Sequence, residues 1–516
     1  MKNINTKLFK GMIRISVVPF LMALIGGLLV CTACDEQLQT VVRSQLTPDN
    51  FYQSEGDANA ALITLYVPFT SNWGNPDPGL PSDDQWRAAL YNADLKTYLM
   101  RSLLTTDEIT NDGTFVNAGP LTSFTWGSST WTGGNEAIYP KVSYVAKATE
   151  VIHAISNSTT VSESVKKSYA AQAKVLRAWL MYVLYDFYGP VNAKVDFETL
   201  TDTEPTPRLP EDEYVAQMVK DLTEAMPDLK DRYNADAENW GRVSQGVARM
   251  LLLKIYMHTK QWALAEEVAA EMMDMGYSLL TGPTGYKDIF TQERNNEIIY
   301  AVPANDASPN FWLQEVLPGD FKSAKGIGAR NVGWNENYMT WDFYDTFDAN
   351  DIRRNTTILD TYVNQEDEVV TRASGMRGAI PVKYMDPAPT EPGQPHDVVV
   401  FRYADVLLLL AEAINEQRGP GEAYQYVNQV RARAGVSSFS GMTADQFRTA
   451  LLAERGRELY AEGVRRQDLI RNGSLISNAQ ARGKTAAAAH MVLFPIPNSV
   501  ILQGQGVIRQ NDGYTD

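Results

Sequence analysis

The chain has 516 residues, with 62 acidic and 46 basic side chains and a formal charge of −16. An acidic balance of this kind disfavours nucleic acid, which needs a basic patch against phosphates, and keeps the body off anionic headgroups. Two cysteines exclude a disulfide framework, and the four histidines (His153, His258, His396 and His490) stand too far apart for a metal motif.

The first 33 residues are built for export. Lys2, Lys7, Lys10 and Arg14 form a positive start without an acidic residue. Val17 to Val30 is an apolar run of about 14 residues, the length of a signal h-region and too short for a comfortable membrane span. Cys31, Thr32, Ala33 and Cys34 come next. This resembles the lipobox of bacterial lipoproteins, in which the cysteine is acylated and becomes the first mature residue. Ala33 fits the position before cleavage, whereas bulky Val30 disfavours cleavage at Cys31. The competing reading is an ordinary secretory signal with incidental cysteines. The expected organisation is a lipoprotein signal peptide over 1–33, an acylated flexible linker over 34–45 and one domain over 46–516. Cleavage removes four basic and no acidic residues, so −16 becomes −20. Asp35 and Glu36 resemble the acidic surface-export tag of Bacteroidota lipoproteins.

Helical periodicity dominates the rest of the chain. From Tyr169 to Tyr188, Ala173, Leu176, Leu180, Leu184 and Phe187 recur at three- and four-residue spacing, and Gly189 with Pro190 supplies a stop. Val243 to Thr259 and Trp262 to Met275 predict a helix pair joined at Lys260 and Gln261. Ala404 to Glu416 is apolar almost all round and so predicts a buried helix. Glu422 to Ala434 returns after Gly419-Pro420-Gly421. Thr443 with Gln446 reads as a capping box opening another helix. Within it Gly456 costs about 1 kcal/mol relative to Ala, which predicts a close helix–helix approach there.

These pairs have the size of tetratricopeptide units but are degenerate and not tandem. The fold class read from the sequence is therefore mainly α: a degenerate tetratricopeptide-like scaffold with long irregular insertions near 69–134 and 282–397. The segment Asp386 to Pro395 is Pro-rich and predicts a surface loop. Loops of this kind are where function tends to sit.

At this point the residues resemble the SusD/RagB family of Bacteroidota outer-membrane lipoproteins over most of the chain. The blocks are AQAKVLRAWLMY at 171–182, YDFYGP at 185–190, GRVSQG at 241–246, YKDIF at 286–290 and NEIIY at 296–300. FRYADVLLLLAEAINE at 401–416 and VRARAG at 430–435 are the most specific. Glu454-Arg455, Glu458-Leu459, Glu462-Gly463, Asp468-Leu469, LFPIP at 493–497 and QNDGY at 510–514 complete the series. Charges on these blocks, among them Arg402, Asp405, Glu412, Glu454, Arg457 and Glu458, fall on helices that must be buried. They read as a paired structural network.

The resemblance implies a non-enzymatic surface protein without a cofactor. It would capture oligosaccharides and act as the lid of a SusC-type TonB-dependent transporter, anchored by lipid to the outer membrane and facing outward. Peptide capture, as in the RagB branch, and a helical glycoside hydrolase are the alternatives. Capture of a sugar needs a flat aromatic against its C–H face and polar groups around its rim. Trp179 and Trp262 lie in helical patterns and read as core. Trp73, Trp86, Trp126, Trp131, Trp312, Trp334 and Trp341 fall in loop-rich stretches, where each is either a loop anchor or part of a platform. The family's starch-binding member draws its site from the N-terminal loop and from the segment after the central repeats. By position that selects Trp73, Asp84, Trp86 and Arg87 in the first, with Trp312 and Trp334 in the second. Gly326-Ile327-Gly328 lacks the context of a nucleotide loop, and Asp107-Glu108 with Asn111-Asp112-Gly113 lacks EF-hand spacing. No metal site is expected.

Overall fold

A computed structural model of the protein describes residues 53–71, 89–111, 118–130, 137–305, 308–328, 333–334, 337–385 and 393–515. The signal segment, Cys34 and the linker lie outside the described residues. So do Trp73, Asp84, Trp86, Arg87 and Trp131.

Twelve of the helices position the site: α1 (Glu55–Thr64), α2 (Val142–Asn157), α3 (Glu163–Tyr188), α4 (Glu211–Ala225), α5 (Gln245–His258), α6 (Trp262–Met273), α7 (Trp312–Val316), α8 (Ile352–Thr357), α9 (Tyr403–Arg418), α10 (Tyr424–Arg433), α11 (Ala444–Leu459) and α12 (Arg465–Arg471). α3 packs between α2 and α4, α5 packs on α6, and α9 packs on α6, α10 and α11. The architecture is mainly helical, as the periodicity predicts. α3 begins six residues before the apolar stripe does, in a polar first turn where Glu163 pairs with Lys166. It ends at Gly189, whose φ of +69° is one an L side chain rarely adopts. α9 is buried from Tyr403 to Asn415. No helix among the described residues is long and apolar enough to cross a membrane.

The capping box of α11 is present in both directions. Thr443 Oγ1 accepts from the Gln446 amide at 3.3 Å, and Gln446 Oε1 accepts from the Thr443 amide at 2.9 Å. Gly456 differs from expectation. A Cβ there would stand 3.0 Å from Arg465 Nη1 and 3.3 Å from the Phe343 ring. The missing side chain makes room for a guanidinium and an aromatic edge, and no backbone of another helix comes as close. Trp262 also differs: it is half-buried at the start of α6, because the residues around it on that turn face solvent.

The stretches expected to be irregular contain short helices and, among the described residues, eight short strands, with a ninth directly after them: β1 (Ile109–Asn111), β2 (Ile298–Val302), β3 (Phe321–Ser323), β4 (Asn337–Met339), β5 (Ile358–Leu359), β6 (Thr361–Asn364), β7 (Val369–Thr371), β8 (Ile380–Pro381) and β9 (Val398–Arg402). β1 pairs with β4, β2 with β9, β5 with β8, and β6 lies between β3 and β7; all are antiparallel. Segments of two to five residues carry too little alternation to be seen in sequence.

The charged blocks form the buried network expected of them. Arg402, at the end of β9, reaches Glu458 at 2.6 Å and Glu462 at 2.7 Å. Arg353 of α8 reaches Asp351 and Glu454, each at 2.7 Å, and Glu458 at 3.0 Å. Arg433 of α10 also pairs with Glu458. One carboxylate of α11 thus ties three other segments together. Burial alone would raise its pKa, but Arg433, Arg402 and Arg353 hold Glu458 down to about 2. A second cluster joins α9, α11 and α12 through Arg455 to Asp405 and Asp468, both at 2.8 Å, and Arg471 to Glu412 at 2.6 Å. Burial works against Asp405 as well, yet Lys254 and Arg455 lower it to about 2. Charges in the interior persist on such terms only when paired and hydrogen-bonded.

Candidate functional site

Trp179, in the middle of α3, is fully buried and organises the region from below. Its indole N–H donates to Tyr91 Oη at 2.8 Å. Its ring packs against Phe69, Tyr300 and Phe401 with centroids 4.5, 4.9 and 4.8 Å away. One side chain therefore joins Phe69 and Tyr91 to the β2–β9 ribbon. The Leu90 amide donates to the Pro68 carbonyl at 2.8 Å. Ser71 Oγ lies 2.9 Å from the Ser308 carbonyl oxygen and 3.2 Å from that of Pro303. Ser71 and the segment after β2 thus meet at one corner, although they are far apart in sequence.

From that corner the chain runs to Phe311. Asn310 and Gln394 form a two-way backbone bridge, each amide donating to the other's carbonyl at 2.8 Å. The Asn310 side chain accepts from the Trp312 amide at 2.9 Å and donates to the His396 carbonyl at 3.2 Å. With its neighbours fixed on both sides, Phe311 stacks with Trp334 at a centroid distance of 6.4 Å and an interplanar angle of 10°. Trp334 is 39% exposed, and it is the one exposed tryptophan among the described residues. Its amide donates to the Gln314 carbonyl at 2.8 Å. Gly333 brings it there: a Cβ at Gly333 would stand 2.1 Å from the Leu317 carbonyl oxygen, so only glycine permits this approach.

Beside this shelf, across residues 316–319, lies a cleft of about 560 Å³. Tyr338, Tyr362, Asp320, Asn364, Glu368 and Arg377 give it aromatic and polar character. Tyr362 Oη donates to Asp320 Oδ1 at 2.9 Å. Burial, reinforced by Asp320, pushes the Tyr362 phenol up, so it stays a neutral donor. The Arg377 guanidinium sits 5.4 Å from the Tyr338 ring centroid. An aromatic shelf beside a rim of carboxylates, amide and guanidinium is the chemistry that grips a sugar ring.

Of the residues selected from sequence, Trp334 stands on this shelf. Trp312 does not. It is 2% exposed, and its indole N–H is spent on the Pro381 carbonyl at 2.7 Å. It anchors α7 to β8, because the turn that carries Phe311 to Trp334 sends the next side chain inward. Trp126 is likewise an anchor, buried and donating to Tyr514 Oη at 2.9 Å. Trp341 is half-buried, donates to the Met376 carbonyl at 3.1 Å and carries Arg372 over its face. Sequence reasoning misses Phe311, Tyr338 and Tyr362, because it weighs tryptophan alone as a platform. Asp107 is paired with Arg465 at 2.8 Å, and Glu108 is buried beneath the Ala461 amide. Among the described residues no group of His, Cys, Asp or Glu is arranged to hold a metal.

The SusD family model matches residues 291–514, which span the shelf, the cleft and the buried charge network. Over those residues the chain is similar to the SusD family. Among relatives of this SusD-like chain, SusD-like protein P25 of Formosa agariphila is 26% identical over 540 residues, covering 94% of this chain and 97% of that protein. The starch-binding protein SusD of Bacteroides thetaiotaomicron is 34% identical over 125 residues, 23% of this chain and 22% of that protein. Among solved structures, surface glycan-binding protein A from B. thetaiotaomicron in complex with laminarihexaose has a TM-score of 0.70 at 23% identity, covering 89% of this chain and 99% of that one. A laminarin-binding SusD-like protein has a TM-score of 0.71 at 21% identity, covering 90% and 100%. These likenesses bear out the helical SusD-like fold.

Proposed function

We propose that this SusD-like protein binds oligosaccharides without turning them over. The single observation that carries the reading is the Phe311–Trp334 stack, partly open to solvent and bordered by a polar cleft. A starch-binding relative and a structural neighbour holding laminarihexaose support it. In the same reading Trp73, Asp84, Trp86 and Arg87, which lie outside the described residues, also contribute to binding.

The protein works at the cell surface, held in the outer membrane by an acylated Cys34. Each buried methylene contributes about 0.8 kcal/mol, so more than one chain gives stable anchoring. The linker over 34–45 lets the body swing as the lid of a SusC-type TonB-dependent transporter, to which it passes its ligand.

Calorimetry against a panel of neutral oligosaccharides and peptides tests the binding claim. Binding of a glycan without release of shorter products supports it; binding of peptides alone, or turnover of the glycan, contradicts it. Cys34→Ala should leave binding intact and release the protein from membranes. Retention on membranes that lack the transporter would contradict the anchor.

A further inference from the structure

A second cleft, of about 320 Å³, opens near α8 on the side of β6 that carries Thr361. Lys287, Lys325 and Arg354 all line it, and Asp360 is the one carboxylate among its lining residues. Arg354 is fixed in place. Its Nε donates to Tyr344 Oη at 3.0 Å, its guanidinium lies 4.4 Å from the Tyr344 ring centroid, and Tyr344 Oη donates to Asp360 Oδ2 at 2.7 Å. Asp360 is therefore already engaged by a phenol. Asp288, next to Lys287, is likewise engaged, accepting from the Thr284 hydroxyl at 2.8 Å.

Among the described residues none of the three cations makes an ion pair. Several cations elsewhere on this acidic surface do sit against carboxylates, among them Lys174 with Glu224, Lys230 with Asp236, Arg372 with Asp345, Arg418 with Glu266, and Arg448 with Glu416. Three positive charges converging on one concavity in a chain of charge −16 create a local attraction for anions. An oriented guanidinium with two lysines suits a carboxylate or sulfate, one by directed hydrogen bonds and the others as point charges. The volume is at the lower end of clefts that hold small ligands, roughly 300 Å³ and above. It accommodates one charged ring better than a long chain.

We infer that this cleft is an anion subsite that receives the carboxylate or sulfate group of an acidic oligosaccharide. The inference rests on the glycan-binding reading and narrows it: the ligand includes uronate or sulfated sugars.

Isothermal titration of the purified full-length protein with laminarihexaose, an oligogalacturonate and a sulfated galactan oligosaccharide tests it, alongside Lys287→Ala/Lys325→Ala. Both lysines lie at the cleft surface, so the melting temperature of the double variant should be unchanged. An acidic oligosaccharide should bind the wild type, lose affinity as salt rises past about 0.1 M, and bind the double variant about tenfold or more weakly. Whichever acidic probe binds identifies uronate or sulfate as the recognised group. Binding of laminarihexaose alone, or equal binding of an acidic probe by wild type and double variant, overturns the anion subsite and leaves the glycan reading standing. Binding of no probe overturns both.

Discussion

The Ser71 hydroxyl and the Ser308 carbonyl oxygen are 2.9 Å apart, 237 residues from one another in sequence. This contact brings Ser71 against the segment that leads to Phe311 and Trp334. Ser71 is buried, and its Oγ lies close to the Pro303 carbonyl and the Ser308 hydroxyl as well. Ser71→Ala removes these part-buried hydrogen bonds, which costs about 0.5–1.5 kcal/mol. The expected outcome is a lowered denaturation midpoint together with weaker glycan binding. Unchanged stability would mean that this corner is not closed in solution.

Gly333 sets the height of the shelf. With a Cβ 2.1 Å from the Leu317 carbonyl oxygen, Gly333→Ala must push Trp334 away from Phe311. Glycan affinity should fall several-fold, because an aromatic contact of this kind is worth about 0.5–1.5 kcal/mol. The helical core lies elsewhere, so far-ultraviolet circular dichroism should be unaltered.

Trp312 and Trp334 should separate cleanly. Trp312→Ala removes a buried indole and its hydrogen bond to Pro381, a loss of about 3–5 kcal/mol of stability. Trp334→Ala should alter stability little and weaken glycan binding about tenfold. Equilibrium denaturation and calorimetry on the two variants distinguish an anchor from a platform.

The buried network makes the fold acid-sensitive in a defined window. The folded-state pKa values of Glu458 and Asp405 are lowered to about 2, below their ordinary values, so the unfolded chain binds more protons at acid pH. Their stabilisation is fully present above about pH 4.5 and is lost as pH falls through about 2. Denaturation midpoints should therefore hold from neutral pH to about 5 and then drop. Glu458→Gln leaves Arg402, Arg353 and Arg433 under-compensated, a loss of about 3–5 kcal/mol at about pH 7, and should flatten the acid transition.

Much of this was legible in the sequence. α3, α5, α6, α9 and α11 show an apolar stripe, a stop glycine or a capping box, all of which are local signals. That Arg402 and Glu458 would find partners followed from burial alone, since an interior charge needs one. The strands β1 to β9 escape notice because their stability comes from long-range pairing of very short segments. The difference between Trp312 and Trp334 is not legible either. Both are tryptophans in loop-rich stretches, and what separates them is the direction in which the Asn310–Gln394 bridge turns the chain. Phe311 becomes a candidate site residue only through its stack on Trp334, a contact without a sequence signature. The cation cleft joins Lys287, Lys325 and Arg354 from three separate segments, so no local charge run announces it.

Whether a sugar ring sits on the Phe311–Trp334 shelf is decided by a crystal structure of the protein with an oligosaccharide that binds in titration. A pyranose face should pack on the Trp334 indole, with the glycan's polar rim turned toward the cleft of Tyr338 and Tyr362. A bound oligosaccharide that leaves Trp334 and Phe311 untouched would show that the shelf is not the binding site.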